Sequence, residues 1–242
     1  MKKTITTYSP IAAAVAGLFM LTACSKSADT TPTQTAKPET ASEQTLLVDE
    51  SRLSIYHGVD LTSDLSHLSD NQHKMLSLLI DASKIMDDLF WKQAFFEDKD
   101  AFLSSISDEK VRHFAAINYG PWDRLNGDTP FLSGYEDKAL GAEFYPHDME
   151  KEEFATADFG DKQGLYSMVK RDEAGNLYSV PYSEAFKSEL MKASDLLKKA
   201  SELAEDESFK QYLQLRSEAL LSNDYLASDM AWMDMKTNPI EL

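Results

Sequence analysis

The sequence predicts a mainly α-helical protein with a small β-hairpin. Apolar side chains recur at intervals of three and four over 69–96, 184–206 and 209–221, which is the period of one face of a helix. Two short apolar runs, 165–170 and 177–181, flank a turn that contains glycine, and this arrangement is typical of a hairpin. Helices therefore dominate the expected fold.

The first long helix has a defined start. Ser69 and Gln72 stand at the spacing of a capping box, in which each side chain satisfies a backbone N–H of the first turn. We expect the helix to run to about Phe96 and to bury one stripe of side chains. The stripe consists of Met75, Leu79, Ala82, Met86 and Leu89, widened by Leu76, Leu78, Ile85 and Phe90.

Shorter elements follow. The segment 98–106 is predicted as a short helix, and Ser107 is predicted to cap the next one, whose apolar set is Val111, Phe114, Ala115 and Ile117. Asp148 can cap a short acidic helix over 149–157.

The carboxy-terminal third is predicted to contain two long helices. Tyr182-Ser183 opens a helix over 184–206, and a second helix over 209–221 follows after a minimal break, so the two should pack as an antiparallel pair. Residues 223–235 are less regular, and they carry an apolar cluster: Tyr225, Met230, Trp232, Met233 and Met235.

The loop from Asn118 to His147 is the least generic part of the sequence. Gly120-Pro121 and Asn126-Gly127 are turn dipeptides, so neither a helix nor a strand should run through them. A solvated loop has no need of much apolar area, so we expect this one to pack on other elements. Its aromatic residues are Tyr119, Trp122, Phe131, Tyr135, Phe144 and Tyr145.

The first 23 residues are predicted to be a signal peptide. Lys2 and Lys3 precede an apolar run of 11 residues, Ile11 to Leu21, which is too short for a hydrocarbon core of roughly 30 Å. Leu21-Thr22-Ala23-Cys24 resembles the bacterial lipobox, so Cys24 is the expected lipid attachment site, acylated after cleavage. An ordinary signal peptide with a chance cysteine is the alternative. By resemblance to lipoprotein sorting, Ser25 favours the outer membrane of a bacterial cell envelope.

Residues 24–45 read as the acylated cysteine followed by a flexible Ser/Thr/Pro tether, which leaves 46–242 for a folded region. The formal charge is −17, and it becomes −19 when Lys2 and Lys3 are removed with the signal. Such a charge disfavours nucleic acid and anionic lipid as partners of the folded part. With the single cysteine acylated, no thiol remains for a disulfide, a zinc–thiolate site or a nucleophile.

The search for catalytic motifs finds few candidates. None of the five histidines has a partner at metal-ligand spacing, and Gly-x-Ser-x-Gly and phosphate-binding glycine loops are absent from the sequence. A Ser-His-Asp triad stays possible, because its members converge in space rather than along the chain. Asp123-Arg124 is open to two interpretations, a clamp for an anion or carboxylate and a structural ion pair within the loop.

Five blocks carry a family resemblance. They run Ser83–Ala94, Ile117–Leu125, Leu140–Pro146, Tyr178–Phe186 and Ser228–Met235, and they include Ile-Asn-Tyr-Gly-Pro-Trp-Asp-Arg-Leu. Together they resemble the amino-terminal part of bacterial dipeptidyl peptidase III-like zinc metallopeptidases, over about residues 46–242. The resemblance implies that the chain is an incomplete part of a two-lobed α+β peptidase fold.

The resemblance also implies an activity, the release of dipeptides from the amino terminus of peptides by a zinc hydrolase. In that family a His-Glu-x-x-Gly-His helix and a later Glu hold the metal, and a Glu-x-Tyr segment helps to hold the substrate. None of these motifs occurs in this sequence, so no catalytic or metal-binding residue is carried over. We expect zinc only in a full-length family member, and no cofactor in this chain.

Three hypotheses follow. The first is a lipid-anchored, truncated member of the family that is inactive alone. The second is a non-enzymatic lipoprotein that binds peptides or proteins, and the third is one half of a split peptidase that assembles with a missing carboxy-terminal half. In each, the membrane is a partner through the lipid anchor, and the candidate cleft-lining residues are Tyr119, Trp122, Asp123 and Arg124.

Overall fold

The structure is a computed structural model, and it describes residues 44–240. The signal peptide 1–23, the lipid attachment site Cys24 and the tether up to residue 43 lie outside the described residues.

The described residues form a mainly helical structure with two small antiparallel sheets, as the sequence predicts. Three 3-10 helices also occur, at Glu50–Ser54, Arg124–Asn126 and Ala142–Phe144. The α-helices are α1 (Asp70–Ala94), α2 (Lys99–Ser105), α3 (Glu109–Asn118), α4 (Lys151–Thr156), α5 (Tyr182–Ala185), α6 (Lys187–Leu203), α7 (Glu207–Ser222) and α8 (Leu226–Asp234).

The predicted hairpin is confirmed. Strand β3 (Ser167–Arg171) pairs antiparallel with β4 (Leu177–Pro181), and Met168 lies opposite Val180. A smaller hairpin was not predicted. It joins β1 (Trp122–Asp123) to β2 (Thr129–Pro130) within the aromatic loop, on either side of Gly127, whose φ is +66°. Gly120-Pro121 precedes this hairpin and Asn126-Gly127 lies in the connection between its strands, which are too short for a sequence pattern to reveal.

Helix α1 begins as predicted. The Ser69 hydroxyl accepts the Gln72 N–H at 3.2 Å, and the Gln72 side chain accepts the Ser69 N–H at 2.9 Å, which completes the capping box. Two members of the predicted stripe are corrected, because Met86 and Phe90 are 36% and 46% exposed. They lie at the edge of a stripe that is narrower than the sequence suggested.

Two helix starts are also corrected. Asp108, rather than Ser107, caps α3, because its carboxylate accepts the N–H groups of Lys110 and Val111. Asp148 does not cap α4, which begins two residues later than expected. The Asp148 carboxylate instead lies 3.2 Å from the Arg171 guanidinium of β3, which ties this segment to the hairpin.

The described residues form two hydrophobic cores, and α1 contributes to both. Its first part packs on α6, which also packs on α7, and the apolar stripe predicted over 184–206 is buried in this first core. Its last turn enters a second, aromatic core through Trp91 and Phe95. The other members of the second core come from α2, α3 and the loop: Phe102, Ile106, Val111, Phe114, Ala115, Trp122, Phe131 and Leu132.

The helical region after the hairpin differs from the prediction at both ends. The helix predicted over 184–206 is broken at Phe186, whose backbone (φ −120°, ψ 30°) separates α5 from α6. The segment 223–235, which was expected to be less regular, contains the regular helix α8, packed against α7. Among residues 44–240, no helix is long and apolar enough to cross a membrane.

Candidate functional site

The aromatic loop begins where α3 ends. Tyr119 adopts a left-handed conformation (φ 55°, ψ 46°) and closes the helix by donating its N–H to the carbonyls of Ala115 and Ala116. Gly120 follows with φ +139°, and a Cβ on this residue would lie 3.1 Å from the Trp122 ring. The loop therefore needs glycine at position 120, because the indole of Trp122 folds back over the backbone.

Asp123 is a buried anchor of the loop. Its side chain is fully buried, and its carboxylate accepts two hydrogen bonds from the Arg52 guanidinium, at 2.6 and 3.2 Å. It also accepts the Leu125 N–H at 3.1 Å. The ion pair of this loop thus forms with a residue 71 positions earlier, and not with the adjacent Arg124.

Asn118 organises the same region from the end of α3. It is 1% exposed, and its amide group donates to the Phe114 carbonyl at 2.9 Å. Its side-chain oxygen accepts from the Tyr56 hydroxyl at 3.2 Å and from the Arg124 N–H at 3.1 Å. Every side-chain polar atom of Asn118 is therefore satisfied within the protein, which is typical of a structural role.

Tyr119 and Arg124 lie together on the outside of the loop. The Tyr119 hydroxyl donates to the Asp87 carboxylate of α1 at 2.6 Å, and this bond raises the pKa of Tyr119. The Arg124 guanidinium lies 5.5 Å from the Tyr119 ring centroid and donates to the Ile117 carbonyl at 2.8 Å. Both side chains therefore pin the loop to α1 and α3.

Trp122 borders an opening. Its side chain is only 4% exposed, and its indole N–H donates to the Glu136 carbonyl at 2.8 Å. One edge of the ring helps to line a cavity of about 560 Å³ between the end of α1 and residues 134–147. The size lies within the range of small-molecule and peptide sites.

The cavity combines aromatic rings with carboxylates. Phe96, Tyr135 and His147 contribute rings, and burial is the main cause that raises the pKa of Tyr135. The His147 ring lies 2.8 Å from the Glu143 carboxylate. Within residues 44–240, three lining carboxylates form no ion pair, those of Glu97, Glu136 and Asp137.

Lys138 places a positive charge over the indole of Trp122. Its ammonium is 5.7 Å from the Trp122 ring centroid and 3.7 Å from the Asp128 carboxylate. This contact shows that the ring face accommodates a positive charge, as aromatic faces do.

The described residues do not fit a zinc ion. Among residues 44–240, no three His, Cys, Asp or Glu side chains lie together as metal ligands. The histidines are dispersed, and His147 already pairs with Glu143. A tight zinc site needs three or four converging ligands.

The structure places the four candidate residues around one loop, but they do not converge on one cavity. The sequence did not identify three residues that support them: Arg52, Tyr56 and the buried Asn118. Arg52 lies in the 3-10 helix Glu50–Ser54, and nothing in its local pattern indicates a partner 71 positions away. Cys24, the fifth predicted site residue, lies outside the described residues.

Comparison with solved structures identifies two similar folds. The first is DPP III from Caldithrix abyssi, with a TM-score of 0.73 and 37% sequence identity over 78% of this chain and 38% of that chain. The second is dipeptidyl-peptidase III from Corallococcus sp. strain EGB, with a TM-score of 0.71 and 32% identity over 77% of this chain and 37% of that chain.

Sequence comparison adds one curated relative, Nudix hydrolase 3 of Arabidopsis thaliana, which is 32% identical over an alignment that covers 77% of this chain and 32% of that protein. No family model matches the sequence. The chain spans less than two fifths of the length of each of these relatives. The described fold is therefore DPP III-like, and it corresponds to a part of the bacterial dipeptidyl peptidase III structures.

Proposed function

We propose that this chain is a lipid-anchored, non-catalytic portion of a DPP III-like peptidase. The observation that carries the proposal is the agreement of fold and sequence with DPP III from Caldithrix abyssi, a TM-score of 0.73 at 37% identity. A likeness of fold without sequence identity would leave function open, but here both agree over most of the chain.

The chain contributes scaffold rather than chemistry. A zinc hydrolase needs a metal to lower the pKa of its water and a base to take the proton. The His-Glu-x-x-Gly-His motif does not occur in the 242 residues, and the described residues offer no group of three ligands. Asp123, Asn118 and Tyr119 are engaged in holding the loop, so none of them is free to act as an acid or a base.

The purified chain should release no dipeptide. The assay is the incubation of the full chain with zinc and an aryl amide of a dipeptide, followed by absorbance of the freed amine. We expect the same rate with and without a chelator, equal to the rate of buffer alone. Release that is lost on chelation overturns the proposal of a non-catalytic portion.

The lipid anchor has a separate test. Cells that express the chain and its Cys24→Ser variant are labelled with radioactive palmitate and separated by density. We expect label on the natural chain in the outer-membrane fraction and no label on the variant. A natural chain without label contradicts the anchor, and label in the inner-membrane fraction contradicts the location.

The cavity beside Trp122 favours a second candidate, a lipoprotein that binds peptides. Its aromatic rings and unpaired carboxylates suit the ammonium group of a peptide. Titration of the chain with a peptide and with its amino-terminally acetylated form decides this. Binding of the free peptide that is weakened by acetylation and by Glu97→Gln supports the candidate, and equal binding of the two peptides refutes it.

A further inference from the structure

Helix α8 has an unusual orientation of its side chains. The residues that it turns toward the protein are small, since Ser228 is 1% exposed and Ala231 packs against the first core. Leu226, Met230 and Met233 point the other way, and they are 71%, 51% and 61% exposed. These three residues are spaced by four and three, so they lie on one side of the helix. We call them the α8 outer face.

The arrangement is the reverse of an ordinary surface helix, which buries its large apolar residues and exposes its small and polar ones. The helix is nevertheless fixed in this orientation. Asp229 lies 2.6 Å from the Arg216 guanidinium of α7, and that guanidinium lies over the rings of Tyr212 and Tyr225. A rotation that buried Met230 would break these contacts.

Trp232 extends the apolar surface along one edge of the α8 outer face, and it is 52% exposed. Four large apolar side chains thus lie within seven positions of one another on a single short helix. Large apolar side chains that are exposed on one side of a helix mark an interaction site, and methionine side chains adapt well to a partner.

We propose that the α8 outer face is the docking surface for a polypeptide that corresponds to the part of the DPP III chain that this chain does not span. The inference rests on the proposed function and names its partner. In the Caldithrix abyssi structure the matched part is 38% of the chain, so most of that fold lies outside it and must pack against it somewhere. The α8 outer face is a large apolar surface left without a neighbour in the described residues.

Charge disfavours a second copy of this chain as the occupant. Asp224 and Asp234 flank the two ends of the α8 outer face, and neither has an ion pair within residues 44–240. Antiparallel pairing of two such helices would bring the carboxylates of the two copies together, and each copy has a formal charge of −17. The expected partner has an apolar strip with lysine or arginine at its rim.

The first experiment uses Trp232 as a reporter. The chain has three tryptophans, and Trp91 and Trp122 are both only 4% exposed, so a change of emission on binding reports mainly on Trp232. The full chain is mixed with the separately expressed remainder of Caldithrix abyssi DPP III. We expect co-purification and a blue shift of the emission, which Trp232→Phe removes.

Two variants test the face itself. Met230→Glu and Met233→Glu each place a charge in the proposed interface, and we expect each to weaken binding at least about tenfold. Leu125→Glu is the matched control, because Leu125 is 68% exposed and lies in the 3-10 helix Arg124–Asn126 of the aromatic loop. Equal binding by Met230→Glu and Leu125→Glu overturns the inference.

A fused chain keeps the test valid if the remainder does not fold alone. The remainder is joined after Leu242, and thermal unfolding is compared in the fused and the original chain. We expect Met230→Glu to lower the melting temperature of the fused chain and to leave that of the original chain unchanged. The same effect of Met230→Glu in both chains overturns the inference.

Two further results would also overturn it. One is a homodimer of the full chain that Met230→Glu dissociates, and the other is flotation with phosphatidylcholine vesicles that Met230→Glu abolishes in a Cys24→Ser chain. A complex that forms but shows no zinc-dependent release of dipeptides supports the docking surface and counts against the proposed function. A chain that fails to bind a folded remainder removes the docking surface alone.

Discussion

Removal of Arg52 should be among the most damaging single changes in the second core. Asp123 is fully buried, and its only charged partner within residues 44–240 is Arg52, at 2.6 Å. Arg52→Ala leaves a buried carboxylate with one remaining side-chain hydrogen bond, from the Leu125 N–H. Removing one partner of a buried pair costs about 3–5 kcal/mol, and because Arg52 is 31% exposed we expect about 3 kcal/mol.

The neighbouring arginine is the control. Arg124 is exposed, donates to the Ile117 carbonyl and lies over the Tyr119 ring, so Arg124→Ala should cost no more than about 1 kcal/mol. Asp123→Asn removes the buried charge itself. The double variant Arg52→Ala/Asp123→Asn should therefore be less destabilised than the sum of its single changes, by about 2 kcal/mol.

Urea unfolding at neutral pH, followed by far-ultraviolet circular dichroism, measures the free energy of unfolding of the natural chain and of the four variants. For a domain of this size, about 3 kcal/mol corresponds to roughly 6–12 °C in melting temperature. Two results would refute the reasoning. One is a loss of unfolding free energy in Arg124→Ala that equals the loss in Arg52→Ala. The other is a loss in the double variant that equals the sum of the losses in its two single variants.

Three further changes have defined outcomes. Gly120→Ala should cost about 1–3 kcal/mol, because φ is +139° and the added Cβ would lie 3.1 Å from the Trp122 ring, whereas Gly58→Ala, with no atom within 4 Å, should stay within about 0.5 kcal/mol in the same urea assay. Ser69→Ala removes half of a capping box and should cost about 1 kcal/mol, and no loss of thermal stability would contradict the cap. Asp206 caps α7, and its hydrogen bonds with Ser208, the Phe209 N–H and Thr237 lower its pKa to about 2. Since the folded pKa lies below the unfolded value of about 3.9, the stabilisation is present above about pH 4 and is lost as the pH falls toward 2. Asp206→Ala should therefore be about 1 kcal/mol less stable at pH 6 and show a weaker pH dependence between pH 4 and 2, and parallel stability curves would contradict this.

The elements that the sequence predicts well are those with local causes. The capping box of α1 needs only Ser69 and Gln72, which stand three positions apart, and both hydrogen bonds form. The stripe of α6 is also local, because its period alone shows which side chains face the first core. The hairpin of β3 and β4 follows from its turn, where Gly175 adopts φ +89°.

The features that could not be predicted have distant causes. Asp123 is paired with Arg52 across 71 positions, so the adjacent Arg124 was the natural but wrong candidate for its partner within the loop. The cavity beside Trp122 is formed by the end of α1 and by residues 134–147, which only the folded chain brings together.

The orientation of helix α8 is a further feature that the sequence does not predict. Its apolar residues Leu226, Met230 and Met233 have helical spacing, but they face outward, and the small residues Ser228 and Ala231 face the protein. Periodicity shows that a helix has an apolar face. It does not show whether the neighbour that covers this face lies among the described residues.

The relationship to bacterial dipeptidyl peptidase III is tested most directly by exchange. Residues 46–240 of this chain replace the matched segment of the Caldithrix abyssi enzyme, and the chimera is loaded with zinc and assayed for release of dipeptides. If this chain is a functional scaffold of that fold, the chimera should keep zinc-dependent release within about tenfold of the parent in kcat/KM. A chimera that folds and binds zinc but releases no dipeptide contradicts the account.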